Sequence, residues 1–81
     1  MILIKPLTTE KAVKMIELEN KIVFIVSRNS TKAEIKKEFE STFDAKIKTI
    51  NTQISKNKKF AFIRMKDENA AINVATKLGV M

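Results

Sequence analysis

The run Ile22-Val23-Phe24-Ile25-Val26 is the feature that most constrains the fold of this chain. Consecutive β-branched and aromatic residues are typical of a strand that is covered on both faces, because a strand with one face in water alternates apolar and polar residues. The run is far shorter than the roughly 20 apolar residues that span a bilayer. We therefore predict an interior strand of a sheet, and no membrane insertion.

A helix start follows this strand closely. Thr31-Lys32-Ala33-Glu34 fits the capping box, in which the threonine hydroxyl accepts from the glutamate amide and the glutamate carboxylate accepts from the threonine amide. The helix is therefore expected to begin at Lys32 and to end before Asp44. Apolar residues that recur every four positions form its predicted core-facing stripe: Ile35, Phe39 and Phe43.

The segment before the interior strand predicts a short edge strand and a first helix. Met1 to Ile4 is apolar, and Pro6 should end the strand because proline provides no donor for a ladder. Thr8 is the expected N-cap of the helix, with Glu10 in its first turn. Three residues form its predicted apolar face: Ala12, Val13 and Ile16.

The segment after the capped helix predicts a β-hairpin. Lys46 to Ile54 has strand character, but Ile47 and Ile50 are out of phase for strict alternation, which indicates a bulge or a strand with two apolar faces. Ser55 to Lys59 is a polar turn, and Phe60 to Met65 returns as the last strand.

A final helix completes the series. Asp67 is its expected cap, and Gly79 is its expected left-handed end. The element order is strand-helix-strand-helix-strand-strand-helix. We therefore predict an α/β chain of the α+β type, with about three helices packed on an antiparallel or mixed four-stranded sheet, in one domain over residues 1–81. The inward residues of the last helix are expected to be Ala71, Val74, Ala75 and Leu78.

The charge balance indicates a polyanionic partner. Sixteen basic residues oppose 9 acidic ones, a net charge of +7, which favours RNA, DNA or an acidic membrane surface. The sequence contains no cysteine and no histidine, which excludes a thiolate zinc site, a disulfide framework and a Cys-His nucleophile. We expect no enzyme, no metal and no cofactor; a small enzyme that uses lysine or carboxylate groups is the alternative of a different class.

The last strand carries the strongest local indication of RNA binding. Its alternation puts Phe60, Phe62 and Arg64 on one face, next to the lysines of the preceding turn. Exposed rings stack on unpaired bases and lysines neutralise phosphates. Periodicity is equally compatible with both phenylalanines being core residues under a helix. The strand also resembles the RNP1 pattern of RNA recognition motifs without its glycine, so a free-standing RNA-binding module is the alternative function.

Three blocks of the sequence, Ile4 to Ala12, Thr31 to Lys36 and Lys46 to Thr52, together resemble the universal large-subunit ribosomal protein twenty-three family. The resemblance implies an antiparallel four-stranded sheet that binds large-subunit rRNA beside the mouth of the peptide exit tunnel, in the cytoplasm and without catalysis. It also implies neighbouring ribosomal proteins as partners, no small-molecule substrate and no required homo-oligomer.

The same resemblance implies a docking role for the first helix. Glu10 lies in the block that matches the family's chaperone-docking glutamate, and Glu17 and Glu19 extend an acidic patch that RNA would repel. The expected partner is the signal recognition particle or another factor that meets nascent chains. The segment from Ser55 to Lys59 replaces the long basic loop of bacterial members, so this chain is similar to the archaeal short form, with limited reach into the tunnel.

Basic and polar residues near element ends, together with the last strand, form the expected rRNA contact set. Its members are Lys5, Thr8, Thr9, Lys11, Lys32, Lys36, Lys46, Lys48, Asn51, Thr52, Lys56, Lys58, Lys59, Phe60, Phe62 and Arg64.

Overall fold

The computed structural model describes residues 2–79. Within them the chain forms four strands and three helices in the predicted order: β1 (Leu3–Pro6), α1 (Glu10–Glu19), β2 (Lys21–Val26), α2 (Lys32–Phe43), β3 (Ile47–Ser55), β4 (Lys58–Met65) and α3 (Ala70–Leu78). The opening strand is shifted from its predicted bounds, since it includes Pro6, which an edge strand tolerates. Met1, where that strand was expected to begin, lies outside the described residues.

One antiparallel sheet joins these strands in the order β1-β2-β4-β3. The predicted interior strand is confirmed, because β2 lies between two neighbours and Ile22 through Val26 are all buried. β2 and β3 both pair antiparallel to β4, so they run parallel to each other. Parallel strands need a crossover of helix length, and α2 provides it.

The hydrophobic core lies on one face of this sheet, under the helices. Ile35 and Phe39 of α2 are fully buried there, and the rings of Phe24, Phe39 and Phe43 lie with centroids 4.8 to 6.0 Å apart. The predicted stripe of α2 is therefore confirmed, although Phe43 is only partly buried at its end. The remaining members from β2, β4 and α3 include Ile22, Val26, Ala61, Ile63, Met65, Ala71, Val74 and Ala75.

Asn20 joins four elements at one end of the sheet. Its backbone is left-handed, with φ of 54°, and its amide caps α1 by donating to the carbonyl of Met15. Its side-chain amide donates to the carbonyls of Met65 and Asp67 at 3.3 and 2.8 Å, and its Oδ1 accepts from the amide of Ala71 at 2.9 Å. One side chain therefore ties the end of β4 and the start of α3 to the junction of α1 and β2.

The predicted start of α2 is confirmed. The Thr31 amide donates to Glu34 Oε1 at 2.9 Å, and the Glu34 amide donates to Thr31 Oγ1 at 3.2 Å. Lys32 is the first helical residue, and Asp44 ends the helix in a left-handed conformation.

The predicted N-caps of the other two helices are wrong, whereas Gly79 ends α3 in the predicted left-handed conformation, with φ of 78°. Thr9, not Thr8, caps α1, and its Oγ1 accepts from the amide of Ala12 at 3.2 Å. α3 begins after Asn69 rather than Asp67, and no side chain within its own first turn caps it. The acceptor for its second amide comes instead from Asn20, 51 residues earlier in the chain.

β3 contains the predicted irregularity. Its register with β4 shifts between Ile47 and Thr49, so Lys48 is the extra residue of a bulge. Before the bulge, the odd-numbered Ile47 faces the core. After it, the even-numbered residues face the core side, because Ile50 and Thr52 lie opposite Ile63 and Ala61.

The turn between β3 and β4 is shorter than the predicted polar segment. Ser55 pairs with Lys58, which leaves only Lys56 and Asn57 between the strands. Their φ angles of 50° and 65° are both positive, as in the type I′ turn whose twist matches that of antiparallel strands.

Replacement of the joining residue tests this arrangement. Asn20→Ala should lower the free energy of unfolding in urea by about 2–4 kcal/mol, because it removes three hydrogen bonds and leaves a poor residue in a left-handed conformation. Asn20→Gly keeps the backbone relaxed and should lose less. Asn73→Ala, at an exposed position of α3, is the matched control; a loss from Asn20→Ala no larger than that of the control would contradict the joining role.

Candidate nucleic-acid interface

The face of β4 that points away from the core carries two rings between two cations. The predicted alternation is confirmed, because Ala61, Ile63 and Met65 are buried in the core and the residues between them are not part of it. We refer to the residues on the outer face as the β4 stripe: Lys58, Phe60, Phe62 and Arg64.

Neither ring of the β4 stripe belongs to the core cluster. Phe60 and Phe62 are half-buried, whereas Phe24 and Phe39 are buried and in ring contact. Of the two interpretations that periodicity leaves open, the structure supports the one that keeps both rings out of the core.

Polar amides and apolar side chains flank these rings on the neighbouring strands. On β3, the exposed residues Gln53 and Asn51 lie opposite Phe60 and Phe62. On β2 the partners of the same two rings are both buried, so the rings help to cover the second side of the interior strand. These partners are Ile25 and Val23.

The cations next to the rings have no carboxylate partner. Within residues 2–79, the ion pairs shorter than 4.0 Å are Glu10–Lys14 at 3.9 Å and Glu19–Lys21 at 3.5 Å. Lys58 and Arg64 of the stripe are in neither pair, and nor is Lys5, which lies opposite Ile25 on β1. Their charge is therefore available to an anion from solution.

A second group of cations gathers where the β3–β4 turn meets the loop before α2. Val26 lies opposite Lys59, so the hairpin runs beside the residues that follow β2. Residues 27–32 and 55–59 contain no aspartate or glutamate. We refer to their basic residues as the cationic end: Arg28, Lys32, Lys56, Lys58 and Lys59.

Lys59 differs from the other members of the cationic end. It is half-buried on the core side of the sheet, and its Nζ donates to the carbonyl of Ser30. This bond holds the hairpin against the loop before α2. Lys59 therefore keeps the other members of the cationic end in place, rather than offering one more free charge.

The start of α2 is already occupied by an anion. The Glu34 carboxylate accepts from the Thr31 amide, so the capping box places negative charge where the helix dipole attracts it. The side chains of Lys32 and Lys36 are exposed and lie one turn apart beside this occupied helix start.

Two more carboxylates of α2 are directed into the protein. Glu38 Oε2 accepts from the amide of Leu3 at 2.7 Å, and Glu40 Oε2 accepts from the amide of Ile47 at 3.0 Å. Both satisfy backbone groups at strand starts, which leaves fewer acidic groups facing solvent than the sequence suggests.

The remaining predicted rRNA contacts are scattered. Lys46 and Lys48 lie at the other end of the sheet, where Lys46 shares a groove with Glu40 and Asp44. Thr52 lies opposite Ala61 on the core side of the sheet, whereas Asn51 lies opposite Phe62 on the outer side. The predicted contacts near the start of α1 are exposed, but they are in neither the stripe nor the cationic end: Thr8, Thr9 and Lys11.

The acidic residues of α1 do not form one patch. Glu10 and Glu17 are seven residues apart and share a face of the helix, with Lys14 between them. Glu19 lies on the other side and pairs with Lys21. Glu17 is exposed and is in neither of the two ion pairs found within residues 2–79.

Sequence reasoning missed Arg28 of the cationic end, and also Lys21 and Gln53, which lie opposite Arg64 and Phe60 of the β4 stripe. Gln53 has the same strand parity as Asn51, so alternation could have identified it. Arg28 and Lys21 become relevant only through the pairing of β2 with β4, because a sequence does not give the strand order.

Other kinds of site are not found in the part of the chain that the structure describes. No group of three or more acidic residues there could hold a metal ion. No helix there is long and apolar enough to cross a membrane.

Comparison with known proteins gives the family. The model of the family described as Ribosomal protein L23 matches residues 1–77. This chain belongs to the ribosomal protein L23 family. The resemblance inferred from the three sequence blocks is thereby confirmed, and a member of this family is a ribosomal protein, not an enzyme.

Curated relatives of this L23-family chain come from methanogenic archaea. A protein of Methanothermobacter thermautotrophicus is 38% identical over 98% of this chain and 93% of its own length. Proteins of Methanococcus maripaludis and Methanococcus aeolicus are 46% and 43% identical, each over 93% of this chain and 88% of the relative. All three are named large ribosomal subunit protein uL23.

The positioning role of Lys59 in this L23-family chain can be tested through stability. Lys59→Gln should lower the free energy of unfolding in urea by about 1 kcal/mol, because the carbonyl of Ser30 loses its charged donor. Lys58→Gln, one residue away and exposed, should leave stability unchanged and serves as the matched control. If both variants unfold at the same denaturant concentration, the bond between Lys59 and Ser30 does not hold the hairpin.

Proposed function

We propose that this protein is a structural constituent of the large ribosomal subunit that binds large-subunit rRNA near the mouth of the peptide exit tunnel. The observation that carries the proposal is the cationic end, where two chain segments free of acidic residues meet on a protein of net charge +7. As one domain in the cytoplasmic ribosome, the chain would have rRNA and neighbouring ribosomal proteins as its partners.

The cationic end suits the backbone of folded RNA. Its exposed members come from a loop, a helix start, a two-residue turn and the first residue of β4. β-Pairing and the bond of Lys59 to Ser30 hold these segments together. Cations fixed in this way can follow the phosphates of a structured RNA without reading its bases. Each neutralised phosphate releases counterions, which gives affinity with a strong dependence on salt.

Helix α1 is the proposed docking side for factors that meet nascent chains, such as the signal recognition particle. Glu10 and Glu17 share one of its faces, and neither belongs to the cationic end. RNA phosphates would be repelled there, whereas a basic segment of a protein factor would be attracted. The exposed side chain of Leu18 adds apolar surface on the same helix.

The length of the β3–β4 turn limits how far the protein can reach into the tunnel. Two extended residues span only about 7 Å, so the β3–β4 turn cannot form an arm that enters the tunnel. The proposed contribution to the exit site is therefore a surface at the mouth, not a contact deep inside.

A free-standing RNA-binding module is the second candidate function, and the β4 stripe favours it. Rings on the outer face of a sheet strand, with cations at both ends, are what such modules use for single-stranded RNA. Co-sedimentation with large subunits after a high-salt wash distinguishes the two, because a free module would be lost to the supernatant.

Salt dependence tests the rRNA proposal. Affinity for a folded fragment of large-subunit rRNA should fall steeply between low and physiological salt, and the Lys32→Gln/Lys56→Gln double variant should reduce the slope by about two. Lys77→Gln is the control, since Lys77 shares a groove with Asp44, Asp67 and Glu68. An equal slope for the wild type and the double variant would mean that the cationic end does not hold phosphates.

Charge reversal on α1 tests the docking proposal. Glu17→Lys should weaken binding of the signal recognition particle to ribosomes by about three- to tenfold, because it replaces attraction by repulsion, and should leave rRNA affinity intact. Glu19→Lys, on the other side of the helix, is the matched control and should have little effect. Ribosome pelleting measures both; a Glu17 variant that binds the particle as well as wild type would exclude this face.

A further inference from the structure

We infer that the β4 stripe is a separate subsite for two unpaired nucleotides of RNA, with one base on Phe60 and one on Phe62. This inference rests on the proposed function, because the RNA is taken to be the one that the cationic end holds. It adds a different kind of contact, since stacking on rings depends on bases and not on phosphate charge.

The spacing of the two rings selects unpaired RNA. Alternate residues of a strand are about 6.7 Å apart, whereas successive bases of a duplex are stacked at about 3.4 Å. Neighbouring bases can therefore each cover one ring only when they are pulled apart. Single-stranded loops and bulges permit this, and a duplex does not.

The surroundings of the rings match a nucleotide in charge and in hydrogen bonding. Lys58 and Arg64 lie at the two ends of the stripe and have no carboxylate partner among residues 2–79. Exposed amides of Gln53 and Asn51 lie directly across from the rings, where they can donate to and accept from base edges. No acidic residue is among the residues that pair with the stripe.

These features favour RNA over a protein as the occupant. A protein partner that covered two phenylalanines would need apolar side chains of its own, and the cations and amides around them would then lose water without compensation. Phosphates and base edges satisfy both groups at once.

The proposed test uses a single-stranded RNA hexamer that carries 2-aminopurine at its two central positions, and a duplex of the same length as comparison. Binding of the hexamer to the wild-type protein should change the 2-aminopurine fluorescence. Phe60→Leu and Phe62→Leu keep the cover over Ile25 and Val23, but each removes one ring. Each should therefore weaken hexamer binding at least about fivefold and reduce the fluorescence change, which the double variant should abolish.

Controls separate this subsite from stability and from phosphate binding. Phe43→Leu removes a ring from the edge of the core, so it should lower the melting temperature and leave hexamer affinity per folded molecule unchanged. Both stripe variants should melt near wild type, bind the duplex equally well and keep the wild-type salt slope with the rRNA fragment.

Three outcomes would overturn the subsite. Stripe variants that bind the hexamer as wild type does would exclude stacking, and an equal loss for hexamer and duplex would show that the rings do not select unpaired bases. Wild-type protein that binds the rRNA fragment but not the hexamer would overturn the subsite and leave the proposed function standing. Wild-type protein that binds neither RNA would instead count against the proposed function itself.

Discussion

The interior strand β2 has no polar side, and this constraint organises the rest of the molecule. Ile22, Phe24 and Val26 face the core under the helices, but Val23 and Ile25 face the other way and are buried as well. Water cannot take that second side, so the neighbouring strands must cover it. Phe62 and Phe60 of β4 lie directly beside those two residues. Their apolar side chains thus supply the cover that this side of β2 needs and still remain partly accessible.

Long-range hydrogen bonds decide how the layers meet, and they also shape the charge of the surface. Asn20 supplies the acceptor that α3 lacks in its own first turn. Glu34, Glu38 and Glu40 of α2 direct their carboxylates to backbone amides. These three groups are among only 9 acidic residues in the chain. Their charge is engaged by backbone amides, and within residues 2–79 the lysines around the β3–β4 turn take part in neither ion pair.

Local patterns predicted the elements well, and contacts between distant segments explain the errors. The capping box at Thr31, the stripe of α2 and the alternation of β4 depend on residues a few positions apart, and all are confirmed. The cap of α3 could not be found locally, since its partner Asn20 is 51 residues away. For the candidate interface, parity placed Phe60 and Phe62 on one face. Parity does not say which side of the sheet the helices cover. It also does not say that the loop with Arg28 lies next to the hairpin, because that depends on the order of the strands.

The shared use of the rings has a consequence for how the protein could meet RNA. An aromatic residue that was needed only for a ligand would be free to change conformation, but Phe60 and Phe62 are held between β2 and β3 by the packing of the sheet. Half-burial beside Val23 and Ile25 leaves each ring fewer orientations than full exposure would, so less conformational entropy is lost when a base stacks on it. The same holds for the cationic end, which Lys59 fastens to the loop before α2. In the proposed function, a small chain presents two surfaces to one folded RNA, the cationic end to its phosphates and the β4 stripe to its bases.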